Sequence, residues 1–294
     1  MEQDHKKGFL AASGCAALWG ILPVYWKSLV PISSSVIIIY RILLVALVSL
    51  FFARRSYSWK EIFSPLRDKK LMMKYIFAGA VITGNWSTYI WAVNSGHVIQ
   101  ASIGYYIEPL VVCLFGILFF HEKMTKWKGI AMGFACSSVL IILFHFGQLP
   151  GIALALAGSF AVYSAIKKTV DQPAMISLVY ETLFFAPFAL GIIIWMECNG
   201  KGALAAGEPY QFILLLLCGL ATAVPLAMFG YAAQRTTMFV LGLCEYISPT
   251  LSLIIGIFLF KESIDFVQIG AFALIWIGLV FFSYGEFSTF KKKN

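Results

Sequence analysis

Four ionisable side chains interrupt long apolar runs in this chain: Arg41, Glu108, Glu181 and Glu245. At the centre of a membrane helix each costs about 2.5–3.5 kcal/mol on insertion scales, so such residues persist where they line a cavity, pair or carry a proton. With a helical rise of about 1.5 Å per residue, Arg41 lies roughly 9 Å and Glu108 about 15 Å from one face, and Glu181 and Glu245 each about 10 Å from the other. Arg41 and Glu108 are therefore about 6 Å apart in depth, within reach of an arginine stem. They are expected to pair when no substrate is bound, the alternative being an Arg41 that snorkels outward. Glu181 and Glu245 share a level and are expected to handle the coupled proton, Glu181 as carrier and Glu245 as modulator. Asn85, Trp86, Tyr89, Tyr105 and Tyr106 accompany Arg41 and Glu108 and are the expected substrate-facing wall.

Spacing at i, i+3, i+7 and i+11 puts Glu245, Ser248, Ser252 and Gly256 on one helical face, and Gln100, Gly104 and Glu108 share another. Small residues in such rows equally serve as close-packing seams. Pro109 and Pro249 each remove a backbone donor near these polar residues, freeing carbonyls that can line a cavity. Other chemistries find no support. Cys15, Cys113, Cys136, Cys198, Cys218 and Cys244 lack CxxC spacing and read as small packing residues. The pairs His121-Glu122 and Lys261-Glu262 read as helix-end charges, so neither a metal nor a cofactor is expected. No P-loop, HExxH or GxSxG stretch is present.

The elements that must position these residues follow from composition. The chain is 60% hydrophobic and 12% charged, with a mean hydropathy of +0.84. Ordinary soluble domains carry about 25% charged residues, so lipid must be the solvent for much of this surface. Apolar runs near the roughly 20 residues that span a bilayer recur at 8–26, 36–53, 73–93, 98–120, 128–146, 150–166, 174–196, 210–232, 238–260 and 264–284. The expected fold is an all-α integral membrane protein of ten transmembrane helices. Of its 22 Lys and Arg residues, eighteen then fall on one side of the membrane, three on the other, and Arg41 lies within a helix. The positive-inside rule places that side, and both termini, in the cytoplasm. The net charge of +8 is thereby a topology signal and implies no nucleic acid.

GYYIEPLVVCLFGILFFHE (104–122) and CEYISPTLSLIIGIFLFKE (244–262) agree at seven of nineteen positions at an offset of 140. Tyr40-Arg41 aligns with Tyr180-Glu181, and IWAVN (90–94) with GYAAQ (230–234), at the same offset. The repeat unit is five helices, 1–149 and 150–294. Five is odd, so the second copy enters the membrane from the opposite side, the inverted-topology arrangement common in secondary transporters.

The run GNWSTYIWAVNSGHVIQASIGYYIEPL (84–110), the HE and KE pairs, and LCEYISPTLS (243–252) resemble the RarD branch of the EamA group, within the drug/metabolite transporter superfamily. The resemblance covers nearly the whole chain and implies a ten-helix carrier of the bacterial inner membrane, associated with chloramphenicol sensitivity. This chain departs from that pattern at Glu108 and Glu245, where family members commonly carry Asn and Gln. The expected function is secondary active transport of a small polar or amphipathic metabolite or drug, driven by protons. An uncoupled channel and a membrane-embedded enzyme are the competing readings. Expected partners are the substrate, protons and membrane lipid, with a homodimer left open.

Overall fold

The structure, a computed structural model, describes residues 2–95, 97–147, 151–261 and 265–293. Its regular elements are all helical. They are α1 (Glu2–Ser28), α2 (Ser34–Ser56), α3 (Trp59–Phe63), α4 (Lys69–Asn94), α5 (Val98–Phe120), α6 (Lys126–Phe146), α7 (Gly151–Thr169) and α8 (Ala174–Leu183). There follow α9 (Ala186–Cys198), α10 (Ala203–Ala206), α11 (Pro209–Leu216), α12 (Cys218–Arg235), α13 (Met238–Glu245), α14 (Ile247–Phe258) and α15 (Phe266–Lys293). Among the described residues seven helices are long and apolar enough to cross a membrane, or eight if the bent pair α8–α9 counts as one span. The chain is a multi-pass membrane protein. The long helices outside that set are α4, with Thr83, Asn85, Ser87 and Thr88 in its C-terminal half, and α7, with two lysines in its last turn.

Local chemistry explains most boundaries. Ser33 and Thr125 cap α2 and α6 by accepting from the amides of Val36 and Lys128. Gly147, at φ 59°, ends α6 in the left-handed conformation that glycine adopts without strain. The fourth helix of each proposed half ends on a left-handed non-glycine residue, His121 at φ 50° and Lys261 at φ 54°, again 140 residues apart. One expected span is bent, and two others are interrupted for a single residue without parting. The run 174–196 bends by 52° between α8 and α9, where Pro187 in the first turn of α9 has no amide to donate backward. The run 210–232 is interrupted at Leu217 and 238–260 at Tyr246, directly after Glu245, yet each crosses as one helix, Pro209–Arg235 and Met238–Phe258. By contrast α5 continues through Pro109.

One large core joins the two halves of the chain. Helix α1 packs on α12 and α14, α4 on α7, α5 on α7 and α13, α2 on α8 and α12, and α6 on α15. Small residues set the closest approaches. A Cβ on Gly20 of α1 would stand 2.7 Å from Leu251 Cβ, and one on Gly104 of α5 would stand 3.3 Å from Leu156 Cβ. Ser252 Oγ donates to the Gly20 carbonyl, and Gln100 accepts from the Ile152 amide. Much of the small-residue stripe read from sequence is therefore a packing seam.

At one end of the α6–α15 pair, His145 Nε2 lies 2.6 Å from Asp265 Oδ2, and Asp265 Oδ1 accepts from the Val267 amide. The Val267 N–H first, and His145 next, hold the Asp265 carboxyl below the usual carboxylate range. A depressed carboxyl contributes stability above its unfolded value of about 3.9 and loses it as pH falls through the lower folded value. Asp265→Asn is therefore expected to lose less melting temperature than wild type on acidification from about pH 5. Equal losses in a thermal melt series would remove the pair from the account.

Candidate functional site

Two polar clusters sit in opposite halves of the bundle. The first is built on α2, α4 and α5. The Arg41 guanidinium carbon stands 3.8 Å from the centre of the Trp86 ring and 5.5 Å from that of Trp26. Stacked on an indole, a guanidinium stays bound in place while its N–H groups remain free to meet a ligand. Arg41 Nε has no hydrogen-bond partner, and among the described residues no carboxylate lies within 4.0 Å of the side chain. Tyr105 sits within electrostatic reach of Arg41 and Glu108, and its ring meets Tyr89 edge-on at 5.5 Å. Tyr105 nevertheless leaves 45% of its surface open.

Glu108 is half-buried, one turn beyond Tyr105 on α5. It lies within electrostatic reach of Glu245, the last residue of α13. Glu245 is buried, and its Oε1 has no hydrogen-bond partner. The two carboxylates thus face one another's field across the α5–α13 contact, where α13 ends and α14 begins.

The second cluster is closed. Lys167 Nζ on α7 lies 2.6 Å from Glu181 Oε1 on α8, with both side chains 1% exposed. Ser177 Oγ is 2.6 Å from both Lys167 Nζ and Glu181 Oε1, and the Tyr163 hydroxyl donates to Glu181 Oε2 at 3.0 Å. Both carboxylate oxygens are satisfied, which is what makes a buried ion pair tolerable. Tyr75 and Tyr180 stack beside it with centroids 5.5 Å apart.

The structure brings Arg41 to Trp86 and Tyr105, Tyr105 to Tyr89, and Glu108 within the field of Tyr105 and Glu245, and it separates others. The expected Arg41–Glu108 ion pair is not formed: the guanidinium lies on Trp86, while Glu108 lies within the field of Tyr105 and Glu245. Asn85 is turned away: its Nδ2 donates to the Leu156 carbonyl and Ser159 Oγ, pinning α4 to α7. Tyr106 is buried against Phe272 at 4.8 Å, because adjacent residues on a helix point about 100° apart and Tyr105 takes the exposed direction. Glu181 does not meet Glu245. Its helix packs on α2 and α4, while α13 packs on α5 and α1. Lys167, counted in the sequence as a loop charge, is the partner that reading missed. Its signal was the i, i+4 spacing of Tyr163 with Lys167 and of Ser177 with Glu181, two polar pairs on facing helices.

The repeated segments also meet. The Tyr246 hydroxyl donates to the Tyr106 carbonyl at 3.1 Å, joining both copies near their prolines. Glu122 accepts from the Met238 and Phe239 amides at 2.6 and 2.9 Å, capping the positive end of α13. Glu262, its repeat counterpart, lies outside the described residues. Among the described residues no three His, Cys, Asp or Glu side chains are placed to hold a metal ion.

Comparison with known proteins places these clusters in context. The model of the EamA-like transporter family matches residues 6–144 and again 149–284. The chain is 36% identical to the uncharacterized transporter YojE of Bacillus subtilis, over 96% of this chain and 95% of that protein. It is 34% identical to the protein RarD of Streptomyces exfoliatus, over 100% and 93% respectively. A solved crystal structure of 16% sequence identity superposes with a TM-score of 0.73 over 93% of this chain and 96% of the other, which is a likeness of fold.

Proposed function

The chain belongs to the EamA-like transporter family, and from that premise we propose that it is a proton-coupled secondary carrier working by alternating access in a bacterial cytoplasmic membrane. The observation that carries this reading is the difference between the two polar clusters. Under exchange of the repeats, Arg41 corresponds to Glu181 at an offset of 140. The Arg41 cluster has an open ring and an unpaired guanidinium nitrogen, while the Lys167–Glu181 cluster is sealed. One half open and its counterpart closed is what an inverted repeat adopts in an outward-facing state.

The packing supports the exchange. Counting bent or interrupted helices as single spans gives ten segments, with residues 1–149 and 150–294 as the two repeats. The contact of α1 with α12 then maps onto that of α7 with α4, and α5 on α7 maps onto α13–α14 on α1. The pairs α2–α8, α5–α13 and α6–α15 map onto themselves. The double match of one family model supports the same division.

In this reading Arg41, held by Trp86, receives an anionic or zwitterionic group of a small metabolite or drug. Tyr89 and Tyr105 form the wall beside it. Glu108 and Glu245, in one another's field, take up and release the coupled proton, and the Lys167–Glu181 pair with Ser177 and Tyr163 closes the cytoplasmic side. Proteoliposomes with an imposed pH gradient test the function, with radiolabelled chloramphenicol as the first probe and a set of amino acids and small drugs after it. Accumulation that follows the gradient supports the carrier. Equilibration indifferent to the gradient means a facilitator, and chemical conversion means an enzyme.

Topology is tested separately. Cysteines at Ser64 and Ala205, both exposed, are expected to label from the cytoplasmic and external sides respectively with an impermeant maleimide. Ala205 serves better than neighbouring Gly202, whose Cβ would collide with the Glu197 carboxylate. External labelling at position 64 would reverse the orientation.

A further inference from the structure

Helix α3 and the end of α2 form a surface that the transport reading leaves unused. Ser58 and Glu61 make a capping box: Ser58 Oγ accepts from the Glu61 amide, and the Glu61 carboxylate accepts from the Ser58 hydroxyl at 2.7 Å and amide at 2.8 Å. Those two donors hold the Glu61 carboxyl below its ordinary range. Asp68 is likewise occupied, accepting from the amides of Lys70 and Leu71. Both acidic groups of the segment are thus committed to backbone ends. Among the described residues none lies within 4.0 Å of Arg54, Arg55, Lys60 or Arg67.

Inward, α3 is fixed. Ile62 is buried against Ala53 and Val179, and its carbonyl accepts from the Tyr180 hydroxyl at 2.8 Å. That anchorage turns Trp59, Phe63 and Leu66 outward, where all three are exposed. Trp59 stacks on Phe63 at 5.5 Å, and the Arg54 guanidinium carbon stands 5.3 Å from the Trp59 ring. Between α2 and α3 runs a groove of about 400 Å³ lined by Leu47, Leu50, Phe51, Arg54, Arg55 and Trp59.

We propose that this groove binds one anionic phospholipid of the adjoining leaflet. The phosphate sits on Arg54 and Arg55, an acyl chain lies along Leu47, Leu50 and Phe51, and Trp59 stands at headgroup level. The chemistry selects the occupant. Two cations without acidic partners call for an anion, and the apolar wall running from them down a membrane-facing helix calls for a hydrocarbon tail attached to it. An aromatic ring at their junction matches the interfacial preference of tryptophan. In the orientation proposed above these residues meet the cytoplasmic leaflet, whose anionic lipids attract basic residues beside the membrane, and the binding test below, made in detergent, is independent of that orientation.

Native mass spectrometry of the full chain in detergent tests this with equimolar phosphatidylglycerol and phosphatidylcholine of identical acyl chains. Wild type is expected to retain phosphatidylglycerol at least about fivefold over phosphatidylcholine, and R54Q/R55Q to lose that preference. K6Q/K7Q, which removes two other basic residues, keeps it. Should the double variant not purify, R54Q and R55Q singly take its place, each expected to at least halve the ratio. Equal retention of both lipids by wild type, an undiminished preference in the arginine variants, or displacement of the lipid by millimolar inorganic phosphate would each overturn the proposal.

Discussion

Glu181→Ala is expected to cost the folded protein about 3–5 kcal/mol, one of the largest losses any single substitution here should cause. The carboxylate accepts from Lys167, Ser177 and Tyr163 in a site with 1% exposure at both charged ends. Removing it leaves the Lys167 ammonium buried and uncompensated. Lys167→Met leaves the opposite charge stranded and belongs in the same range. The double variant Lys167→Met with Glu181→Leu removes both charges and restores apolar volume, so it is expected to recover most of the loss. Unfolding in detergent followed by circular dichroism measures all three. If the single losses simply add in the double variant, the two residues do not act as a pair.

The second large effect concerns coupling. One proton moving down a one-unit pH gradient supplies about 1.4 kcal/mol, enough for roughly tenfold accumulation of a neutral substrate. Glu245→Gln keeps the shape of a residue buried at the end of α13 but cannot exchange a proton. In proteoliposomes its accumulation ratio is expected to fall to about one, with substrate-for-substrate exchange retained. Glu108→Gln is expected to behave likewise, because the two carboxylates lie in one another's field. A Glu245→Gln protein that still accumulates substrate to the wild-type level would take the proton away from this pair.

The sequence made the membrane-spanning character legible through its apolar runs, and the Arg41 region through polar residues inside them. Trp86 and Tyr105 lie beside Arg41, and Tyr89 lies beside Tyr105. What a linear depth estimate cannot supply is the angle about the helix axis. It placed Glu181 level with Glu245 without revealing that α8 and α13 face different neighbours. It grouped Tyr105 with Tyr106, although one is exposed and the other packs on Phe272. Lys167 was lost for a different reason. Its helix runs three residues past the apolar stretch to Thr169, so a cation that composition assigns to a loop is carried in the helix and folded inward. The interruption at Tyr246 was foreshadowed by Pro249, but Pro109 at the matching position leaves α5 continuous, so a proline alone does not decide whether a helix is interrupted.

The account stands on one half of the bundle being open while its counterpart is shut. In a background lacking native cysteines, Tyr105→Cys reports on the open cluster, and Ser164→Cys, buried on α7 one turn before Lys167, reports on the closed one. Labelling rates with an impermeant maleimide, applied from each side of oriented vesicles, read both. The prediction is rapid external labelling at 105 and protection at 164, with Glu181→Ala, which strands the Lys167 ammonium, slowing the first and exposing the second to the cytoplasmic side. Rates at the two positions that rise and fall together, or that ignore the loss of the ion pair, would contradict alternating access.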